Sequence, residues 1–338
     1  MRFPSLRLAL LLAALCGLCM LAFVAALLCG AGAVPAGSAW AALVHYDAAD
    51  PAQAIVRGLR LPRALAGVIC GAALATAGVI MQALTRNPLA DPGLMGVNAG
   101  AALAVVALLW VFGPQDVVAL ACAAMAGAGL AAALVWKLAG GAVISESRAL
   151  SVRLPLAGTA ISSLCLSLVA AAVLLNTETR ELYRFWMIGS LAQAGTAQLI
   201  PLLPVAVAGV LLALACARGL DVLALGADLA AGLGARPGVT VGAALAAVTL
   251  LSGTAVALAG PLGFVGLIVP HAARTIGGNR IAVTLLAALP LGAAMVLVCD
   301  TIGRVAARPS EIALGAVLAL IGGPAFMVLL SRILGPAR

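Results

Sequence analysis

Long apolar runs separated by short polar stretches dominate the chain. They lie near residues 8–30, 64–84, 94–113, 117–139, 154–175, 198–217, 239–259, 262–276, 281–299 and 311–331. A helix needs about 20 apolar residues to cross a hydrocarbon layer about 30 Å thick, because its backbone polar groups must all be satisfied within the segment. The pattern therefore predicts an all-α polytopic membrane protein with ten spans. The run at 262–276 is the shortest and contains Pro270, so a broken or partly re-entrant helix is expected there. The first run, Leu8 to Leu28 behind Arg2 and Arg7, has the look of a secretory signal. It is longer than the roughly 7–15 apolar residues such signals carry, and is read as the first span.

Composition agrees with this reading. The chain is 64% hydrophobic and 9% charged, with mean hydropathy +1.21, against roughly 25% charged residues in an average soluble domain. No polar interruption is long enough for a separate soluble domain, so residues 1–338 are expected to form a single transmembrane domain. With both termini in the cytoplasm, twelve of the 19 basic residues fall inside and seven outside, in the sense of the positive-inside bias. The net charge of +8 is then an orientation signal, and the scattered basic residues indicate membrane lipid and no nucleic acid as surroundings. All eight cysteines lie in or beside apolar runs and read as packing residues. Cys16 and Cys19 have no His or acid on their span to complete a metal site. Gly67, Gly71, Ala75 and Gly78 give the second span a small face suited to close helix contact.

Active transport needs a source of free energy, and the sequence restricts which one. The only lysine, Lys137, precedes Leu138, so no G-x-x-x-x-G-K-[ST] loop exists and the chain is expected to be no ATPase. The eleven acids fall in loops or at span ends, whereas proton-coupled carriers place acids in mid-membrane. Asp300 comes closest, with Arg304 four residues on as an ion-pair partner. A gradient-driven secondary transporter using backbone carbonyls for sodium stays open as the alternative. An intramembrane enzyme would need a nucleophile with a base, or a metal cluster. Two histidines, His45 in a loop and His271 after Pro270, supply neither, and His271 is read as a structural hydrogen-bonding residue.

The segment from Arg57 to Ala101 combines L-R-L-P-R, a glycine-spaced span ending in Gln82, the turn Arg86-Asn87-Pro88-Leu89-Ala90-Asp91-Pro92, and Gly96 to Gly100. With these residues the chain closely resembles permeases of the iron-siderophore, haem and cobalamin ABC importer family. The resemblance continues through Tyr183 to Leu191 and Ala259 to Arg274. It also covers Asp300 to Arg304 and Gly322-Gly323-Pro324-Ala325-Phe326, and so spans nearly the whole chain.

This resemblance implies a permease that works with two ATPase subunits, a periplasmic or lipid-anchored substrate-binding protein and a second permease copy, identical or paralogous. ATP and Mg would sit on the ATPase, and no cofactor or metal on this chain. The cytoplasmic segment at about 218–238 looks like the family's coupling segment, carried here by Leu225, Gly226, Ala230, Leu233, Gly234 and Arg236, with Leu229 and Leu233 sharing one face. A bulky acidic residue at Gly234 or Ala230 is expected to uncouple transport. Arg60 and Arg63, by their place in L-R-L-P-R, and Arg304, by the D-x-x-x-R pattern, match positions that meet the binding protein, with Arg57 added by proximity. The competing reading is helix-end capping with Asp300 or Glu311. Path-lining candidates are Gln82, Asn98, Thr159, Ser162, Ser163 and Ser167, with Asn176 at the outer end of their span; hydroxyls bonding their own backbone are the alternative. Phe185 and Trp186 would face the outer mouth or anchor at the interface. The implied localisation is the inner membrane, and the implied cargo a ferric siderophore, with haem and cobalamin as alternatives.

Overall fold

Why these runs fold as helices follows from their length and their ends. The computed structural model describes residues 6–30, 32, 34–141, 147–232, 234, 236–278 and 280–334. Every regular element among them is helical. In chain order they are α1 (Leu6–Leu28), α2 (Ala36–Val44), α3 (Pro51–Ile55), a π turn (Val56–Arg60), α4 (Leu61–Thr85), a 3-10 turn (Pro92–Met95), α5 (Val97–Phe112) and α6 (Val117–Ala139). Then follow α7 (Ser147–Leu175), α8 (Thr177–Met187), α9 (Thr196–Leu223), α10 (Ala227–Gly232), α11 (Pro237–Ala259), α12 (Val265–Gly277), α13 (Ile281–Ala306) and α14 (Leu314–Leu334). Side-chain oxygens satisfy open amides at several starts: Asp50 accepts from Ala52 N, Asp116 from Ala119 N, and Asn176 from Thr179 N. Pro237 opens α11, where its missing N–H costs nothing.

Eight helices among the described residues are long and apolar enough to cross a membrane: α1, the continuous Pro51–Thr85 stretch, α6, α7, α9, α11, α13 and α14. The other two of the ten expected spans are helical but shorter. α5 has 16 residues and rises about 24 Å, and α12 has 13 and rises about 20 Å. α12 falls short because the apolar run from residue 262 begins as a non-helical connection, in which Phe264 takes a left-handed φ of 68°. Its second residue, Gly266, lies against Leu74 and Gly78 in the middle of α4, so α12 starts partway along the bundle. The run is thus interrupted at its start, at Phe264, whereas Pro270 lies inside the continuous helix α12.

α4 occupies the middle, packed by α13, α11, α12, α9 and α7. Its small face makes this possible: a Cβ at Gly71 would overlap the Gly292 carbonyl of α13, and one at Gly78 would overlap the Gly266 carbonyl of α12. One continuous apolar core runs from α4 through α5, α6, α9, α11 and α13, while α1 packs on α13 in a smaller cluster of Ala22, Ala26, Leu27, Ala64, Ala294 and Leu297. α4 leads from an end of the bundle marked by arginines to an end where Arg86 meets α9 beside α10. These are called the arginine end and the α10 end below.

Candidate functional site

At the α10 end, the chain turns twice through left-handed glycines, Gly226 (φ 115°) and Gly234 (φ 80°), which enclose the short helix α10. A β-carbon would be strained at either position. Within this segment Ala230 is fully buried, whereas Leu225 and Leu229 are 61% and 64% exposed and Arg236 is exposed. Two large apolar side chains thus stand largely exposed among the described residues at this end. Leu233, expected to share a face with Leu229, lies outside the described residues. The burial of Ala230 also changes one expectation: a bulky acid there would break packing inside the segment before it touched any partner.

The segment is rooted in the turn that precedes α5. Arg86, itself left-handed at φ 52°, donates from Nη2 to the Leu223 carbonyl at 2.7 Å, two residues before Leu225. Asn87 Oδ1 accepts from Leu89 N and Asp91 Oδ1 from Gly93 N, so both residues preceding the prolines close tight local turns. Asp221 Oδ1 accepts from Ile281 N at 3.0 Å and ties the end of α9 to the start of α13. Burial pushes the Asp91 carboxyl above its usual range, with the Gly93 N–H pulling the other way.

At the arginine end, the structure corrects where the arginines point. Arg60 is 5% exposed, and its guanidinium donates to the carbonyls of Leu27, Leu28 and Gly32 at 2.6–2.8 Å, the open acceptors at the close of α1. Arg304 is 3% exposed and donates to Ala26 O and Thr301 Oγ1. Its Nε lies 3.0 Å from Asp300 Oδ2 but is not aligned for a hydrogen bond, so the two interact as charges. Arg63 donates to Asp300 and, at 2.7 Å, to Glu311 Oε2. Arg63 and Arg304 pair with Asp300, and Arg63 also with Glu311, whereas Arg60 caps α1 without either acid as partner. A partner could reach Arg57, stacked 4.5 Å over the Tyr46 ring, and the exposed Arg308 and Glu311, but not Arg60 or Arg304 as they stand.

The path candidates separate into two groups. Thr159, Ser163 and Ser167, four residues apart, are exposed along α7 with Leu156, Leu166 and Leu174. Thr159 Oγ1 donates to Leu156 O and Ser167 Oγ to Ser163 O, so these hydroxyls are satisfied by their own helix while remaining on the surface. Ser162 faces inward, near Gly96. Gln82 is 2% exposed and its Nε2 donates to Leu267 O, a bond that holds α4 to α12; Asn98 is half-buried beside Gly93. Gln82 is therefore enclosed because α4 is the central helix, not on a surface that a path could use. Phe185 of α8 is exposed and Trp186 half-buried, stacked on Tyr183. Among the described residues, no three His, Cys, Asp or Glu side chains gather to hold a metal ion.

Residues 18–332 match the FecCD transport family. The chain is 40% identical over 286 residues to the ferric enterobactin transport system permease protein FepD of Escherichia coli (strain K12), covering 82% of each. It is 36% identical to the iron(3+)-hydroxamate import system permease protein FhuB of Bacillus subtilis (strain 168), over 95% of this chain and 83% of the relative. It is also 36% identical to the cobalamin import system permease protein BtuC of Halobacterium salinarum, over 86% of this chain and 77% of the relative. A solved structure described as an inward-facing conformation of a metal-chelate type ABC transporter superposes with a TM-score of 0.82 at 26% identity, covering 96% of this chain and 99% of that one.

Proposed function

The chain belongs to the FecCD transport family, and we propose that it is the permease subunit of a binding-protein-dependent ABC importer that carries a ferric siderophore across the inner membrane. In this reading the α10 end and both termini face the cytoplasm, and the arginine end faces outside. The observation that carries the proposal is the pair Leu225 and Leu229, exposed just before and within the short helix α10 that Gly226 and Gly234 bracket. A permease without a P-loop must receive work from another protein, and an uncovered apolar ridge at its inner face is where a groove on an ATPase would grip it.

Two copies of the chain would meet across the exposed face of α7, with Thr159, Ser163 and Ser167 toward a path on the two-fold axis. A paralogous second permease is the variant of this arrangement. Hydrolysis of ATP with Mg would occur on two ATPase subunits, and this chain would carry no catalytic group or cofactor. Arg57, Arg308 and Glu311 offer charges to a binding protein, while Arg60, Arg63 and Arg304 act beneath them by fixing the ends of α1, α4 and α13. The names of the relatives favour siderophore as cargo and keep cobalamin in view.

The test is reconstitution of the chain with its ATPase and binding protein in vesicles. ATPase activity stimulated by loaded binding protein, with cargo accumulating only when ATP is present, is the expected result. Accumulation that proceeds without nucleotide and collapses with an ionophore would instead identify a secondary transporter.

A further inference from the structure

A cavity of about 730 Å³ opens at the arginine end, behind α8. Its volume lies within the range of small-molecule sites. The walls are mostly apolar and include Leu109 of α5, Leu120 of α6, Leu182 and Trp186 of α8, and Leu258 of α11. Gln198, near the start of α9, lines it and is buried. Its Nε2 donates to the Val117 carbonyl at 2.8 Å, which fixes the amide and leaves Oε1 with no partner among the described residues. A buried acceptor without a donor is an incomplete interaction that an occupant can complete. The exposed Asp116 stands next in the chain to Val117 and also lines the cavity, adding negative charge on the same side.

The surroundings identify the occupant. Val111 and Phe112, at the end of α5, and Phe185 on the rim are large, exposed and apolar. On a membrane-spanning chain such side chains face lipid, so the cavity fills from the bilayer. We propose that it is a binding site for a membrane lipid with an ammonium headgroup. The ammonium donates to Gln198 Oε1 beside the Asp116 carboxylate, and the apolar body packs on Leu120, Leu182 and Trp186. α8 follows α7 through the Asn176 cap, so a lipid braced against Leu182 and Trp186 limits how far α8 can swing. That consequence rests on the permease reading above; the site itself does not.

The experiment takes the full chain, stripped of lipid in detergent, and offers it phosphatidylethanolamine, phosphatidylcholine or phosphatidylglycerol, with retained lipid counted by native mass spectrometry. One equivalent of phosphatidylethanolamine is expected to survive. Retention of phosphatidylcholine, which keeps the charge but has no N–H donor, should be weaker by about fivefold, the worth of one net hydrogen bond. Gln198→Leu should abolish this preference. Ala192→Phe, which fills space at the cavity wall, should remove the bound lipid, while Leu130→Phe on an exposed part of α6 leaves it in place. Equal retention of the three lipids, a preference for phosphatidylglycerol, or retention unmoved by Ala192→Phe would overturn the proposal. Because the readout is binding without transport, it stands or falls separately from the permease reading.

Discussion

Arg63 grips Asp300 with Nη2 at 2.9 Å and Nε at 3.0 Å, joining α4 to α13 across 237 positions of sequence. Asp300 thereby balances Arg63 and Arg304 together. Asp300→Asn leaves Arg304 without a countercharge and Arg63 with Glu311 alone, and should destabilise the protein by about 3–5 kcal/mol, as removal of one partner of a buried pair does. Thermal unfolding in detergent measures this. Replacing Arg63, Asp300 and Arg304 together by apolar residues should cost much less than Asp300→Asn alone, which separates lost charge balance from lost packing.

Leu229→Glu should leave expression and melting temperature unchanged, since the side chain is largely exposed. Association with the ATPase should weaken by about tenfold or more, the scale of an interface anchor. Co-purification and binding-protein-stimulated hydrolysis both report it. Ala230→Glu should lower the melting temperature instead, because Ala230 is fully buried.

Gly71→Val places two methyl groups against the Gly292 carbonyl, where a single Cβ already overlaps. The two helices must separate, at a cost of about 1–3 kcal/mol or more. Gly129→Val, at a position with open space around its Cα, is the matched control and should be near neutral.

Asp91 gives a pH dependence with a defined sign. Its carboxyl titrates above the usual range in the folded chain because burial disfavours the charged form. The protonated group therefore favours folding at pH values below its unfolded titration, and that contribution is lost as pH rises through the folded one. Asp91→Asn keeps an acceptor for the Gly93 N–H but carries no charge. Melting temperatures across the acidic range should fall less steeply with rising pH in the variant, which should be the more stable protein at neutral pH.

Thr159→Cys, in a background with the exposed Cys16 and Cys122 replaced by serine, should form a disulfide-linked dimer under mild oxidation if two α7 helices meet on a two-fold axis. Gel mobility reads the outcome. A chain that stays monomeric on the gel, while Leu320→Cys on α14 cross-links, would move the axis away from α7.

The sequence was most legible where one physical rule acts alone. Run length set the helices, and the spacing of Gly71 and Gly78 marked the face on which α4 is approached by Gly292 and Gly266. Legibility ended where distant parts of the chain meet. Nothing local to Arg60 signals that the last carbonyls of α1 arrive beside it, so an arginine at a span end read as an outward charge. Gln82 looked like a polar residue available to a path because its enclosure depends on α12, nearly two hundred residues later. The extent of α12 was overread because hydropathy cannot tell the apolar connection at 262–264 from helix. Gln198 carries no motif at all, and only the fold sets it against Val117.

The position of α4 limits how this protein can change shape. A helix held by α13 and α12 through glycine contacts, with α11, α9 and α7 on its other faces, has little room to tilt or slide, so it serves as a fixed axle. Opening and closing must then be shared among the outer helices turning about it, which makes the loosely held perimeter the moving part and the middle the stator.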